Sequence, residues 1–321
     1  MTPLSRRELL LGASAFAIGG CAADDRFAAV DADEPRGGIG GTGIVGVVTD
    51  FGSLIVNGKR VKLDWRTQIR DAFGSLSEGD LAIGQGLTIE AATEDGRLVA
   101  RRVVVSDPLI GEVTSVDEAA RAVTVNGVRA VLEPGAGALP ARGDRVKVSG
   151  LWRGDIVSAS RIAPTGSGDA VVSGVARRDA ENRVRIGDAL IRPSILTFTP
   201  PVGAFVTARG RMENGAFAAR EVVVGRFTGA AGPLQNLSVE GYLAPLPVAP
   251  FYELTGLGHS FDAEARLAAL ADGRALFEGR YTGAFAVETG LPLPDAAPER
   301  AAILGAALRG EIAPERLIST R

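Results

Sequence analysis

Gly43-Ile44-Val45-Gly46-Val47-Val48 opens a stretch, Gly43 to Val105, whose pattern recurs until the chain is nearly used up. Two short alternating runs follow, joined at Asn57-Gly58. Then come Gly84-Gln85-Gly86-Leu87-Thr88-Ile89-Glu90-Ala91, a turn at Gly96, and a closing run that contains Leu98-Val99-Ala100. Alternation with period two, broken by turn residues, reads as strands and hairpins. The glycine inside the first run returns at Gly111, Gly174 and Gly241, every 63 to 67 residues. The second and third runs meet again at Asn126-Gly127 and Gly187-Asp188, residue types that tolerate the positive φ of tight hairpins. A fourth strand follows Gly84, Gly143 and Gly203, and its hairpin to a fifth turns at Gly96, Gly154, Gly215 and Gly283.

Five short strands in a unit of this size are too few for a sandwich, so closure into a barrel is the economical way to hide the edges. The longest connection lies between strands three and four, where an OB-fold keeps its helix. In the fourth copy that connection, Asp262 to Leu270, predicts a helix capped by Asp262 and ended by Gly273. In the other copies (Trp65 to Ile83, Glu133 to Arg142, Pro193 to Val202) it is rich in Gly, Pro and Ser, and the helix is expected to be reduced or absent. The expected fold is all-β: tandem small five-stranded OB-like barrels, with a lipoprotein signal and tether before them and a short C-terminal helix after them. The boundaries read 1–21 signal, 22–42 tether, 43–107, 108–166 and 167–228 for three repeats, 229–294 for a divergent fourth, and 295–321 for the helical end. Pro298 near its start, Gly310 past its end, and Ile303, Leu304, Ala307 and Leu308 on one side mark the helix, expected to pack on the last barrel. Of the linkers between barrels, Thr228 to Asn236 is the longest and reads as the hinge.

The first residues concern address. Ser5-Arg6-Arg7-Glu8-Leu9-Leu10 resembles a twin-arginine export signal, Leu9 to Gly20 is too short an apolar run to span a membrane, and Ile18-Gly19-Gly20-Cys21 resembles a lipobox. The reading is a bacterial lipoprotein acylated at Cys21, tethered to a membrane on the periplasmic side of the envelope. Ala22 after the cysteine favours the outer membrane over the inner. Asp24-Asp25-Arg26 and the charged, glycine-rich run to Gly38 cannot bury enough apolar surface to order themselves, so Ala22 to Gly41 is expected to be a flexible arm. With Cys21 spent, no cysteine remains for a disulfide.

This combination resembles bacterial exported lipoproteins built from tandem OB-like repeats of a domain-of-unknown-function family. The matching features are the lipoprotein signal, Gly46-Val47-Val48, the Val56-Asn57-Gly58 hairpin, Ile83-Gly84-Gln85 leading into strand four, and the Ala100-Arg101-Arg102-Val103 ending. The resemblance covers Gly43 to about Phe227 in three copies and the last copy loosely. It brings no catalytic or ligand-binding residue with it.

Chemical motifs fail on context. Gly41-Thr42-Gly43-Ile44-Val45-Gly46 fits a dinucleotide fingerprint, but a tether precedes it and a strand follows it. Asp50-Phe51-Gly52 and Arg153-Gly154-Asp155 sit on turns. His259 is the only histidine, so neither a multi-histidine metal site nor a convincing serine–histidine pair exists. With 35 Lys+Arg against 38 Asp+Glu there is no electrostatic case for nucleic acid. We therefore expect no enzyme, no cofactor and no metal, but a non-catalytic envelope module that presents its barrels to a protein partner. The competing expectation is a small molecule or glycan bound on one barrel, with a hydrolase behind both. Trp65, Trp152, Tyr242, Phe251, Tyr252 and Tyr281 are the candidate contact aromatics, weighed against a role in packing. Tyr242, Phe251 and Tyr252, beside the prolines from Pro245 to Pro250, are the preferred ligand-binding set.

Overall fold

The computed structural model describes residues 40–193, 200–247, 251–258, 260–262, 267, 270 and 273–317. Arg6, Arg7, Cys21, the tether, His259 and most of the helix predicted from Asp262 lie outside these residues.

The first repeat forms β1 (Gly41–Asp50), β2 (Leu54–Val56), β3 (Lys59–Lys62), β4 (Gln68–Arg70), β5 (Gly86–Glu94) and β6 (Arg97–Val105). Its ring runs β1-β2-β3-β6-β5 and back to β1, antiparallel throughout except for β3 against β6. That order, with the third and fifth barrel strands parallel, is the OB-fold arrangement expected. The long connection holds the short β4, which continues along β6, and one 3₁₀ turn (Glu78–Asp80) capped by Ser77. The helix is reduced, as the Gly- and Ser-rich sequence there implies.

The second repeat contributes β7 (Leu109–Asp117), β8 (Ala122–Val125), β9 (Val128–Leu132), β10 (Arg145–Arg153) and β11 (Ile156–Pro164). The third adds β12 (Ala170–Arg178), β13 (Val184–Ile186), β14 (Ala189–Pro193), β15 (Phe205–Glu213) and β16 (Ala216–Val224). Both rings close in the same order. The fourth repeat has β17 (Leu234–Pro245), β18 (Tyr252–Leu254), β19 (Ser260–Asp262), β20 (Arg274–Tyr281) and β21 (Ala284–Leu293). Here β18 pairs β17 and β19 pairs β21, while no pairing joins β18 to β19 among the described residues. All four hairpins between the last two long strands carry a register irregularity at one position, Glu90/Ala91, Ser149/Gly150, Arg209/Gly210 and Glu278/Gly279. An extra residue there bends the strands so that they wrap the barrel.

The hairpin tips behave as their residues demand: Asn57 and Gly58 have φ of 55° and 66°, and Asn126 and Gly127 have 52° and 82°. These asparagines do more than turn. Asn126 is 2 % exposed, and its Nδ2 donates to Ile110 O at 3.0 Å and to Val171 O at 2.9 Å. Ile110 lies on β7 of the second barrel and Val171 on β12 of the third, two strands that pair across the barrels. Asn57 repeats the device, donating at 3.0 Å to Val45 O on β1 and to Ser238 O on β17 of the fourth barrel, which runs parallel to β1. Each asparagine needs a strand glycine beneath it: a Cβ on Gly46 would lie 1.9 Å from Asn57 Oδ1. The recurrent glycine and the asparagine form one unit.

The third repeat lacks the asparagine, and Trp152 of β10 fills its place from the neighbouring barrel. The indole Nε1 donates to Ser173 O at 2.9 Å, the carbonyl before Gly174 just as Val45 and Ile110 precede Gly46 and Gly111. Barrels two and three consequently share one apolar core that runs from Leu109 through Trp152 to Phe217.

Helix α1 (Ala297–Leu308) packs Leu304 against Leu276, Leu291 and Leu293 of the fourth barrel, with Ile303 and Ala307 beside it. Leu308, expected on that face, is 37 % exposed instead, and the other buried residue of the helix is Arg300. The hinge expected at Thr228 to Asn236 is also overturned. Glu90, 1 % exposed, accepts at 2.8 Å from Thr228 N, Thr228 Oγ1 and Ala230 N, which fastens that linker to the first barrel.

Asn126→Ala strips a donor from two buried carbonyls, and we expect it to cost about 2 kcal/mol more in urea unfolding than Asn214→Ala. Asn214 is an exposed hairpin residue of nearly equal φ, 50°, so both variants share the penalty of alanine in that conformation. Equal losses would reduce Asn126 to a turn residue.

Candidate functional site

Two places gather polar chemistry. The first is a buried cluster where barrels one, two and four meet the helix. Glu133, just after β9, accepts from Arg274 Nη1 at 2.5 Å, from Arg300 Nη2 at 3.0 Å and from Ser158 Oγ at 2.9 Å. Glu240 of β17 accepts from Arg274 Nε at 2.8 Å and from Val47 N of the first barrel at 2.9 Å, and it pairs with Arg300 Nε at 3.3 Å. All four side chains are at most 3 % exposed. Burial works against the charge on Arg274, but the two carboxylates more than offset it and hold its pKa above the ordinary arginine value. Two carboxylates and two guanidinium groups balance one another's charge, which is what allows the cluster to be buried.

Tyr242 borders this cluster. It is 2 % exposed, and its hydroxyl lies 3.0 Å from Ser158 Oγ and 2.5 Å from Asp295 Oδ1. Burial, joined by the Asp295 contact, pushes its pKa above the usual phenol value. Tyr242 is therefore an interface residue facing protein on all sides, which removes it from the expected ligand-binding set. Phe251 stands 58 % exposed with φ of 66° at the turn before β18, and Tyr252 packs on the core of the fourth barrel. The structure does not bring the three together. Of the other aromatics, Trp152 is buried and Tyr281 lies against the fourth barrel core, while Trp65 is 91 % exposed.

Local sequence could not have located the cluster, although one signal was present. Glu240 holds the position before the strand glycine that Val45, Ile110 and Ser173 hold in the other copies. A carboxylate in an apolar or small-residue slot asks for a buried cation.

The second place is a cleft of about 210 Å³ between barrels one and three. Arg226, which follows β16, enters it with its guanidinium 3.7 Å from the centre of the Phe205 ring. Asp107 lines it too; this side chain is 5 % exposed and accepts from Ser149 Oγ, and burial raises its pKa to about 6.

Glu240→Gln leaves two buried arginines sharing one carboxylate, and we expect a loss of about 3 to 5 kcal/mol in denaturant unfolding. Asp107 makes the opposite prediction. The unfolded chain gives up this proton near the ordinary carboxylate value and the folded chain only near 6, so folding loses stability as pH rises across that interval. Asp107→Asn should then gain about 2 to 3 kcal/mol above pH 7, a gain that fades as pH falls toward about 4 in unfolding curves taken across that range.

Comparison with curated proteins and with solved structures returns no match for the chain. A family model described as "Domain of unknown function (DUF5666)" matches residues 42–104, the span of the first barrel from β1 to β6.

Proposed function

We propose that this protein is a non-catalytic module of the bacterial cell envelope, anchored to a membrane through acylated Cys21 and offering a block of three closed OB-like barrels and a fourth, related repeat to a protein partner. The observation that carries this reading is the use of buried charge. Glu133, Glu240, Arg274 and Arg300 are spent on one another across barrel boundaries, so their chemistry goes into holding barrels together. The asparagine and tryptophan bonds between barrels act in the same sense. Such a block keeps its outer faces in constant relation, as a platform for a partner requires, and among the described residues Trp65 is the large apolar side chain it leaves most exposed. Exposed tryptophan is costly to keep in water and is enriched where binding energy concentrates. The export signal at Arg6-Arg7 and the lipobox cysteine supply the address.

Native mass spectrometry of the protein gently extracted from its own envelope tests this directly. An acylated Cys21 together with a stoichiometric protein companion is expected, and Trp65→Ala should reduce recovery of that companion without lowering the melting temperature. Replacing Arg6 and Arg7 by Lys should block export, and Cys21→Ser should move the protein to the soluble fraction. Unmodified full-length protein in the soluble fraction of wild-type cells would overturn the anchored reading.

A further inference from the structure

The arginine in the cleft between barrels one and three is treated differently from those in the buried cluster. Arg274 and Arg300 each face two carboxylates, whereas Arg226 pairs with none among the described residues. It donates to Thr88 Oγ1 at 2.9 Å through Nη1, to Leu257 O at 3.4 Å through Nε, and to Gly256 O through Nη2. A guanidinium has five N–H donors, so one on each terminal nitrogen is left over. Burial lowers its pKa to about 9, which still leaves it cationic at neutral pH.

The acids around the same cleft are already committed. Asp71 pairs with Lys147 at 3.2 Å, Glu221 pairs with Arg209 at 2.5 Å, and Asp107 takes the Ser149 hydroxyl. Arg70, on the cleft wall and exposed, adds a second cation with no ion pair among the described residues. The remaining wall is apolar where Val104, Ile110, Val171 and Phe205 line it. A partly desolvated cation with spare donors, in a cleft whose polar wall carries one apolar patch at Val104, Ile110 and Val171, is complementary to an anionic head on an apolar body.

We infer that this cleft is a binding site for a small organic carboxylate, its head on Arg226 and its apolar part against Val104, Ile110 and Val171. The volume, about 210 Å³, equals that of roughly seven liquid waters, which suits a molecule of benzoate or hexanoate size. The site lies between barrels, and it stands independently of the anchored-module reading.

The test is isothermal titration of the full chain with benzoate and hexanoate, and with benzamide and hexanamide as neutral matches of the same shape. Saturable binding of the carboxylates at one site, at least about tenfold tighter than the amides, is expected from a charge-assisted contact. Arg226→Gln should abolish that preference, and Arg226→Lys should keep part of it. Because Arg226 also holds the carbonyls of Gly256 and Leu257, a second variant leaves it in place. Val223 is 52 % exposed and lines the cleft, so Val223→Trp should plug it and remove binding with the melting temperature unchanged. Equal binding of acid and amide, affinity unchanged in Arg226→Gln and Val223→Trp, or no heat from any carboxylate at millimolar concentration would each overturn the assignment.

Discussion

The carbonyls of Val45, Ile110 and Ser173 share one requirement. Each belongs to the residue before a strand glycine, and each receives a side-chain N–H that reaches in over that glycine. The donors are Asn57, Asn126 and Trp152. In the first two cases the same Nδ2 also reaches a carbonyl of a second barrel, so closing one barrel and docking its neighbour become one event. A Cβ on Gly46, Gly111 or Gly174 would run into the side chain that carries the donor, which is why these three copies keep the glycine.

Pairing of barrel one with barrel four, and of two with three, follows from this contact. It leaves two double barrels that must still meet, and the neutral cluster of Glu133, Glu240, Arg274 and Arg300 lies where they do. Burying four charges is favourable only if each is matched and hydrogen-bonded, and here the partners come from the second barrel, the fourth barrel and the C-terminal helix. The geometry of the whole assembly is thus a condition for the cluster to be stable. Trp152 adds a further tie, its carbonyl accepting from Thr255 Oγ1 at 2.6 Å.

The cleft near Arg226 shows the contrast between structural and available charge. Arg274 and Arg300 of the buried cluster are enclosed by carboxylates, whereas Arg226 in the cleft has only neutral acceptors and an aromatic face. Arg226 itself donates to Thr88 of the first barrel, and the linker that follows it is fastened there by the buried Glu90, so the guanidinium is held by the first barrel although it follows the third in sequence.

Strand periodicity, the glycines at fixed spacing and the asparagine–glycine tips are local properties, and they sufficed to read tandem OB-like barrels and the terminal helix from the chain alone. Positive φ at Asn57 and Asn126 is a property of a few neighbouring atoms, legible wherever the dipeptide occurs. The cluster was not legible, because its partners stand up to 167 residues apart and each is an ordinary charged residue in its own segment. Tyr242 looked available beside its prolines, and burial between barrels took it away. Thr228 to Asn236 looked like a hinge until Glu90, 138 residues earlier, was found to hold it. The amino-acid order determined each barrel, since backbone conformation and alternation act over a few residues. Which barrels pair, which charges are buried and which arginine is left to a cleft were decided only in the tertiary structure, because desolvation depends on neighbours that the chain brings from far away.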